Sequence, residues 1–165
     1  MLNRKRNRLK DSDYSNDGYY FVTICTKNRE EFFGKIENEK MILNEYGDIV
    51  EKCWFDLPKH YKNCVLDEFI IMPNHIHGIM IIDNYIVGNG LKPFPTGKNH
   101  GLSEIIRGFK TFSSKNINIK YGEKIFQWQK SFYDHIIRNE NSLYNIRQYI
   151  VNNPLNWNDD ENNIN

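Results

Sequence analysis

Long apolar runs are missing from this 165-residue chain. None approaches the roughly 18 residues a membrane-spanning helix needs, so no transmembrane segment is expected. The N-terminus is basic but lacks the apolar block of a secretory leader. Cysteine is scarce: Cys25, Cys53 and Cys64 are the full set, an odd number without a Cys-x-x-Cys spacing. That argues against a disulfide scaffold or a structural zinc site and for three reduced thiols in a cytoplasmic protein. A strong net charge is also absent. At +1, overall charge says little about partners, and its distribution has to be read instead.

Arg4, Lys5, Arg6, Arg8 and Lys10 form a basic arm with no acid among them. Arg107, Lys110, Lys115, Lys120 and Lys124 make a second basic stretch, while acids gather elsewhere, as at Asp159, Asp160 and Glu161. Basic stripes of this kind can follow a phosphate backbone even on a neutral protein. The structural alternative for each is an ordinary solvated face.

The pattern predicts a flexible arm over residues 1–17, one domain over 18–157 and a polar tail over 158–165. Tyr19–Thr26 reads as a strand and Phe32–Leu43 as a small hairpin. A helix capped by Asn44 and limited by Pro58 buries Tyr46, Ile49, Val50, Cys53, Trp54 and Leu57. Val65–Met72 and His75–Ile82 read as an antiparallel pair joined at Pro73-Asn74, and 83–101 as a long, Gly- and Pro-rich, mobile loop. A second helix follows, capped by Ser103, with Leu102, Ile105, Ile106, Phe109 and Phe112 on one side. Phe126–Ile137 reads as a strand with a break near Asp134. A last helix begins near Asn141 or Ser142, turns Leu143, Ile146 and Ile150 inward, and is limited by Pro154. Helices between strands, with one strand pair tightly joined, predict an α+β domain: an antiparallel sheet with helices packed on it.

Two features carry chemistry. His75-Ile76-His77 on a strand would put both imidazoles on one face, their Cα atoms ~7 Å apart, where they can converge on a metal ion. Tyr149 lies beside the inward stripe of the last helix, and Asn153 is one turn further on, so the two can share a face. The bland readings are two ordinary strand histidines and a half-buried helix tyrosine.

MPNHIHGI at 72–79, FYDHIIRNE at 132–140, YIVNNPLNW at 149–157 and YYFVTICTKNR at 19–29 resemble the REP-associated tyrosine transposases. These are relatives of the single-tyrosine HUH transposases of insertion sequences. The motifs occur in the family's order and the resemblance spans residues 4–157. It implies a ferredoxin-like (RRM-like) sandwich with the His-x-His strand central, Mg²⁺ or Mn²⁺ on His75 and His77, and Tyr149 as nucleophile. Asn153 is implied as the third protein ligand, although Pro154 biases its backbone away from helix. The expected activity is cleavage and rejoining of single-stranded DNA through a 5′-phosphotyrosine, at hairpin-forming sequences.

The expected DNA contacts are Arg4, Lys5, Arg6, Arg8, Arg107, Lys110 and Arg138, with Trp128, Phe132 and Tyr133 as candidates for base stacking. Asp134 or His135 is the candidate hydrogen-bond partner of a metal-binding imidazole. A homodimer, with the tyrosine acting in its own or the neighbouring subunit, is left open. Two rival readings are a non-catalytic single-strand-binding module of the same shape, and a metallohydrolase that activates water at the histidine pair.

Overall fold

The computed structural model describes residues 17–84 and 99–164. The basic arm with Arg4, Lys5, Arg6 and Arg8, and most of the predicted loop, lie outside the described residues.

Strand β1 (Gly18–Cys25) leads into a hairpin of β2 (Gly34–Glu37) and β3 (Lys40–Leu43). Asn38 and Glu39, both at positive φ, form the hairpin's turn, the geometry that matches the twist of two tightly joined strands. Helix α1 (Glu45–Phe55) starts where the Asn44 side chain accepts hydrogen bonds from the Tyr46 and Gly47 amides. Pro58 does not end that helix. It sits in the first turn of the short α2 (Leu57–His60), where its missing N–H costs nothing. Strands β4 (Cys64–Met72) and β5 (His75–Ile82) follow, then α3 (Leu102–Tyr121), β6 (Tyr133–Ile137), α4 (Glu140–Val151) and a 3₁₀ helix (Asn153–Asp159).

The four long-range strands form one antiparallel sheet in the order β4-β5-β1-β6. With a helical connection between β1 and β4 and another between β5 and β6, this is the ferredoxin-like arrangement, and the central strands are β1 and β5. One face is covered by α1, α2 and α3, whose Val50, Trp54, Leu57, Leu102, Ile105, Ile106 and Phe109 pack on Tyr20, Val22, Ile24, Ile76 and Met80. The other face carries α4, whose Ile150, Leu143 and Ile146 pack on Phe21, Ile79, Ile137 and Ile70. The alternation along β5 therefore assigns Ile76 to the first face and His75 and His77 to the second. Among the described residues no helix is long and apolar enough to cross a membrane, and Cys25, Cys53 and Cys64 are free thiols.

Three local expectations need correction. Gly101, not Ser103, occupies the N-cap of α3, and no side chain caps it. Phe112 is 51% exposed and stacks on His60 instead of joining the core. The strand predicted over Phe126–Ile137 is confined to its last five residues. Before that, Phe126, Trp128 and Phe132 all turn into the first core. The preceding backbone is clamped by α3 side chains: Asn118 bonds to the backbone of Ile125 and Phe126, and Lys110 Nζ donates to the carbonyls of Gln129 and Lys130. Between these clamps one isolated bridge forms, Thr26 opposite Trp128, with Lys27 N–H donating to the Gln127 carbonyl and Gln129 N–H to the Cys25 carbonyl, so the pairing stops short of a strand.

Gly78 is where helix and sheet approach most closely. A Cβ there would lie 2.5 Å from Trp54 Cζ2 and 2.8 Å from its Cη2, and that ring is itself stacked on Phe69 at 4.6 Å. We expect Gly78→Ala to destabilise the fold by about 1–3 kcal/mol through overpacking, read as a lower urea midpoint with an unchanged m-value. Wild-type stability in this variant would show that the indole is free to shift.

Candidate active site

Two hydrogen bonds aim the histidines. Thr23 is the register partner of His77 across β1 and β5, and its Oγ1 lies 2.8 Å from His77 Nδ1. Asn74 Oδ1 lies 2.8 Å from His75 Nδ1. The orientation of that amide is fixed, because Asn74 Nδ2 donates to the carbonyls of Arg29 at 3.0 Å and Asn162 at 2.8 Å. Its Oδ1 must therefore accept, which assigns the proton of His75 to Nδ1 and leaves a bare lone pair on Nε2. The Thr23 hydroxyl can donate or accept, so it suits either tautomer of His77. The two Nε2 atoms face each other at 3.0 Å.

Both rings are buried. Burial, with the Arg29 charge adding to it, pushes His75 down to about 3. Burial, with the neighbouring His75 adding to it, holds His77 well below its ordinary value. Both are therefore neutral at physiological pH, and the 3.8 Å approach of Asp160 Oδ2 to His75 Nε2 is not an ion pair there. Asp160 Oδ1 accepts from the backbone and side-chain nitrogens of Asn162, while the buried Oδ2 has no hydrogen-bond partner. The Asn153 Oδ1 is likewise buried without a partner, and its amide borders both the His75 ring and the Tyr149 phenol. Two neutral imidazoles able to turn Nε2 lone pairs to one point, and two buried oxygens without hydrogen-bond partners, are what a cation site requires. His75, His77 and Asp160 form a group able to hold a metal ion, their ligand atoms all within 4.8 Å of one another.

Helix α4 brings in the tyrosine. Its first turn is capped by the Asn139 side chain, which accepts from the Ser142 amide. Ile150 plugs the second core. Arg147 bridges Asp67 through both carboxylate oxygens, with Nε 2.8 Å from Oδ1, at the irregularity in β4 between Leu66 and Phe69. With two sides of the helix so fixed, Tyr149 is left beside the histidines. Its hydroxyl lies 3.3 Å from His77 Nε2, its ring stands edge-on to Phe21, and the residue is 46% exposed. It opens on a cavity of about 480 Å³ shared with Phe21, Thr23, His77, Arg29 and Tyr133. Burial is the main influence raising the phenol's pKa, and Asp160 adds to it. Cys25 lines the same cavity, but burial pushes its thiol up to about 11, which leaves it protonated and a poor nucleophile.

Not every predicted site residue is here. Asp134 pairs with Val22, whose side chain belongs to the first core, so it lies on the face of the sheet opposite the histidines. His135 is on the correct face, opposite Phe21, yet both imidazole Nδ1 atoms are already taken by Thr23 and Asn74. Arg107 and Lys110 belong to α3, on the far face. Arg138 is exposed just beyond β6.

Conversely, Thr23, Asn74, Arg29 and Asp160 are site residues that sequence reasoning missed. The residues read as a polar tail return to the site, held by Asn74 on the Asn162 carbonyl and by Arg29 on the Glu161 carbonyl. Asn28 and Arg29 are consecutive non-glycine residues at positive φ, a strained backbone of the kind that clusters at functional sites.

No protein-family model matches the chain. An uncharacterized protein of Haemophilus influenzae is 39% identical over 171 residues, covering 96% of this chain and 92% of that protein. A protein of the same species named "Putative REP-associated tyrosine transposase" is 29% identical over 147 residues, covering 87% of this chain and 73% of its own. A solved REP-associated tyrosine transposase, bound to a REP hairpin, superposes with a TM-score of 0.61 at 18% identity, over 91% of this chain and 74% of that one. The chain is similar to REP-associated tyrosine transposases in sequence and shares their fold. In this chain the His-x-His pair stands on a central strand of the sheet.

The neutral, buried histidines have a consequence for stability. Once unfolded they titrate near ~6.5, so between about pH 3 and 6.5 the unfolded chain binds more protons than the folded one and stability falls as pH is lowered. We expect the melting temperature to drop from pH 6.5 to 4, with a slope of up to about 1.4 kcal/mol per pH unit per histidine. A His75→Gln/His77→Gln variant should show a shallower slope. Equal slopes in calorimetry of the two proteins would refute the assignment.

Proposed function

We propose that this protein is a DNA strand-transferase that cleaves single-stranded DNA with Tyr149 and rejoins it, at hairpin-forming sequences. Similarity to REP-associated tyrosine transposases and the REP hairpin held by the solved one support the substrate class. The observation that carries the chemistry is the phenolic oxygen 3.3 Å from His77 Nε2, half exposed on a cavity. Because this approach is made within one chain, the reading has the tyrosine acting in its own subunit.

In the proposed reaction the phenol attacks the scissile phosphorus in line. The Tyr149 Oη–P bond forms as the phenol gives up its proton to water, the P–O3′ bond breaks, and the departing 3′ oxygen takes up a proton from water and leaves as a hydroxyl. One phosphodiester is exchanged for another, so rejoining to a second strand needs no external energy source. Phe21 packs edge-on against the Tyr149 ring and the α4 anchors fix its backbone, which limits the freedom lost at attack.

His75 and His77 hold Mg²⁺ or Mn²⁺ in this reading, with oxygens from Asn153 and Asp160 available to complete the protein's share of the shell. Such a cation supplies Lewis-acid stabilisation of the phosphate and offsets what burial and Asp160 do to the phenol. Asn74 and Thr23 keep both imidazoles turned to it.

Two measurements test the proposal. Incubation with a 5′-overhang DNA hairpin and Mn²⁺ should give a covalent adduct on a denaturing gel, lost with EDTA and abolished in Tyr149→Phe. An adduct that survives Tyr149→Phe would eliminate Tyr149 as the nucleophile. EDTA-insensitive binding without any adduct would favour a binding module, and phosphodiester turnover without an adduct a metallohydrolase.

The second measurement uses Trp157, whose ring lies 6.1 Å from that of His75, so bound Mn²⁺ should quench tryptophan fluorescence. Asn153→Ala and Asp160→Asn are each expected to weaken Mn²⁺ binding by about tenfold or more, and His77→Ala to remove it. Unchanged titrations in both Asn153→Ala and Asp160→Asn would leave the histidine pair as the protein's whole contribution.

A further inference from the structure

A second concavity, larger than the tyrosine cavity at about 940 Å³, runs between α3 and the irregular segment 124–132. Arg107 and Lys110 project from the helix wall, and Lys124 and Lys130 from the segment wall. Glu104 is the one acid in the lining, and it is paired with His100. Arg107, Lys124 and Lys130 are exposed, and among the described residues none of the three takes part in an ion pair. The walls are fixed to each other before any ligand arrives: Asn118 holds the backbone of 125–126, Trp128 Nε1 donates to Ser113 Oγ at 2.9 Å, and Lys110 holds the carbonyls of 129 and 130.

Position gives the groove its meaning. Gln129 and Phe132 line both this groove and the cavity of Tyr149, so the two are adjoining parts of one surface that turns around the sheet where 129–132 leads into β6. Four cations in a preformed trough are complementary to a phosphodiester chain, and aliphatic and indole surface between them suits sugars.

We propose that this groove carries the phosphate backbone of the same DNA strand whose scissile phosphate sits at Tyr149, several nucleotides away from the cut. The inference rests on the strand-transferase reading. It gives that reading a second subsite, on the opposite face of the sheet from the histidines, and assigns Arg107 and Lys110 a role at a distance from the chemistry.

Fluorescence anisotropy with 5′-labelled oligo-dT of 6 and 20 nucleotides, over a series of salt concentrations, tests it. Arg107→Ala/Lys124→Ala/Lys130→Ala should bind the 20-mer about 10- to 100-fold more weakly near 0.1 M salt, with a log–log salt slope shallower by about 2. The 6-mer, long enough only for the tyrosine cavity, should bind this variant and the wild type alike. Lys52→Ala/Lys59→Ala/Lys62→Ala, which removes as many charges near α1 and α2, should leave the 20-mer within a few-fold of wild type.

Circular dichroism establishes that each variant is folded. A groove variant that binds the 20-mer like wild type, or a control that loses as much, overturns the groove while the Tyr149 adduct stands untouched. Wild-type protein that binds neither oligonucleotide and forms no adduct overturns the groove and the strand-transferase reading together.

Discussion

Everything at this site depends on two imidazoles being held neutral, buried and nose to nose, with their Nε2 atoms 3.0 Å apart. Such a pair tolerates only neutral rings, since two imidazoliums at this distance would repel strongly. It persists because each ring is gripped from behind. Asn74 is the more decisive grip: its amide is fixed by two carbonyls, so it can only accept, and His75 can only present a lone pair inward. Those carbonyls belong to Arg29, on a strained turn after β1, and to Asn162, near the end of the described chain. One side chain in the β4–β5 turn thus ties three distant stretches of sequence to the orientation of a single ring.

The sheet supplies the rest by asymmetry. Three helices cover one face, whereas α4 and the 3₁₀ helix serve the other. The contacts of α4 are mainly with β4 and β5, so the β1–β6 half stays open next to the histidines. A cavity forms there because no element fills it, and Tyr149 stands at its border, half in contact with Phe21 and half exposed. A second full-length helix on this face would have buried the phenol. The ferredoxin-like topology therefore does more than display a metal-binding strand, because it places that strand in the middle and leaves its neighbour uncovered.

Much of this was legible in the sequence, for reasons that also mark the boundary of legibility. Residue alternation assigned Ile76 to the core and His75 and His77 to one face, and helical spacing put Ile150 inward with Tyr149 beside it, because both are local periodicities. Register is not local. Nothing in the strand YYFVTIC says that Thr23 will stand opposite His77, or that Asp134 will stand opposite Val22 and so fall on the wrong face. The expectation for Phe126–Ile137 failed because aromatic and β-branched residues read as strand, while α3 side chains compete successfully for that backbone. Asp160 was unreadable for another reason: an acidic run near the end of the sequence is usually solvated, and only the turn at Asn153–Asp159 folds it back.

The charge balance of the site links these parts. Asn153 Oδ1 and Asp160 Oδ2 are buried without donors, beside two rings that cannot readily take up a proton. Each such oxygen costs on the order of 1–3 kcal/mol, and the strained pair Asn28–Arg29 adds to that cost. Hydrophobic packing could have eliminated the expense by replacing these groups with apolar ones of similar shape. Two buried oxygens without hydrogen-bond partners beside neutral imidazoles leave a local need for positive charge, and a divalent cation would supply it. A ligand that bound these oxygens would also stabilise the Asp160–Asn162 segment that carries one of them, so binding and the stability of that segment should be thermodynamically linked. On this argument the polar end of the chain is part of the site's electrostatics, although it is far from the histidines in sequence.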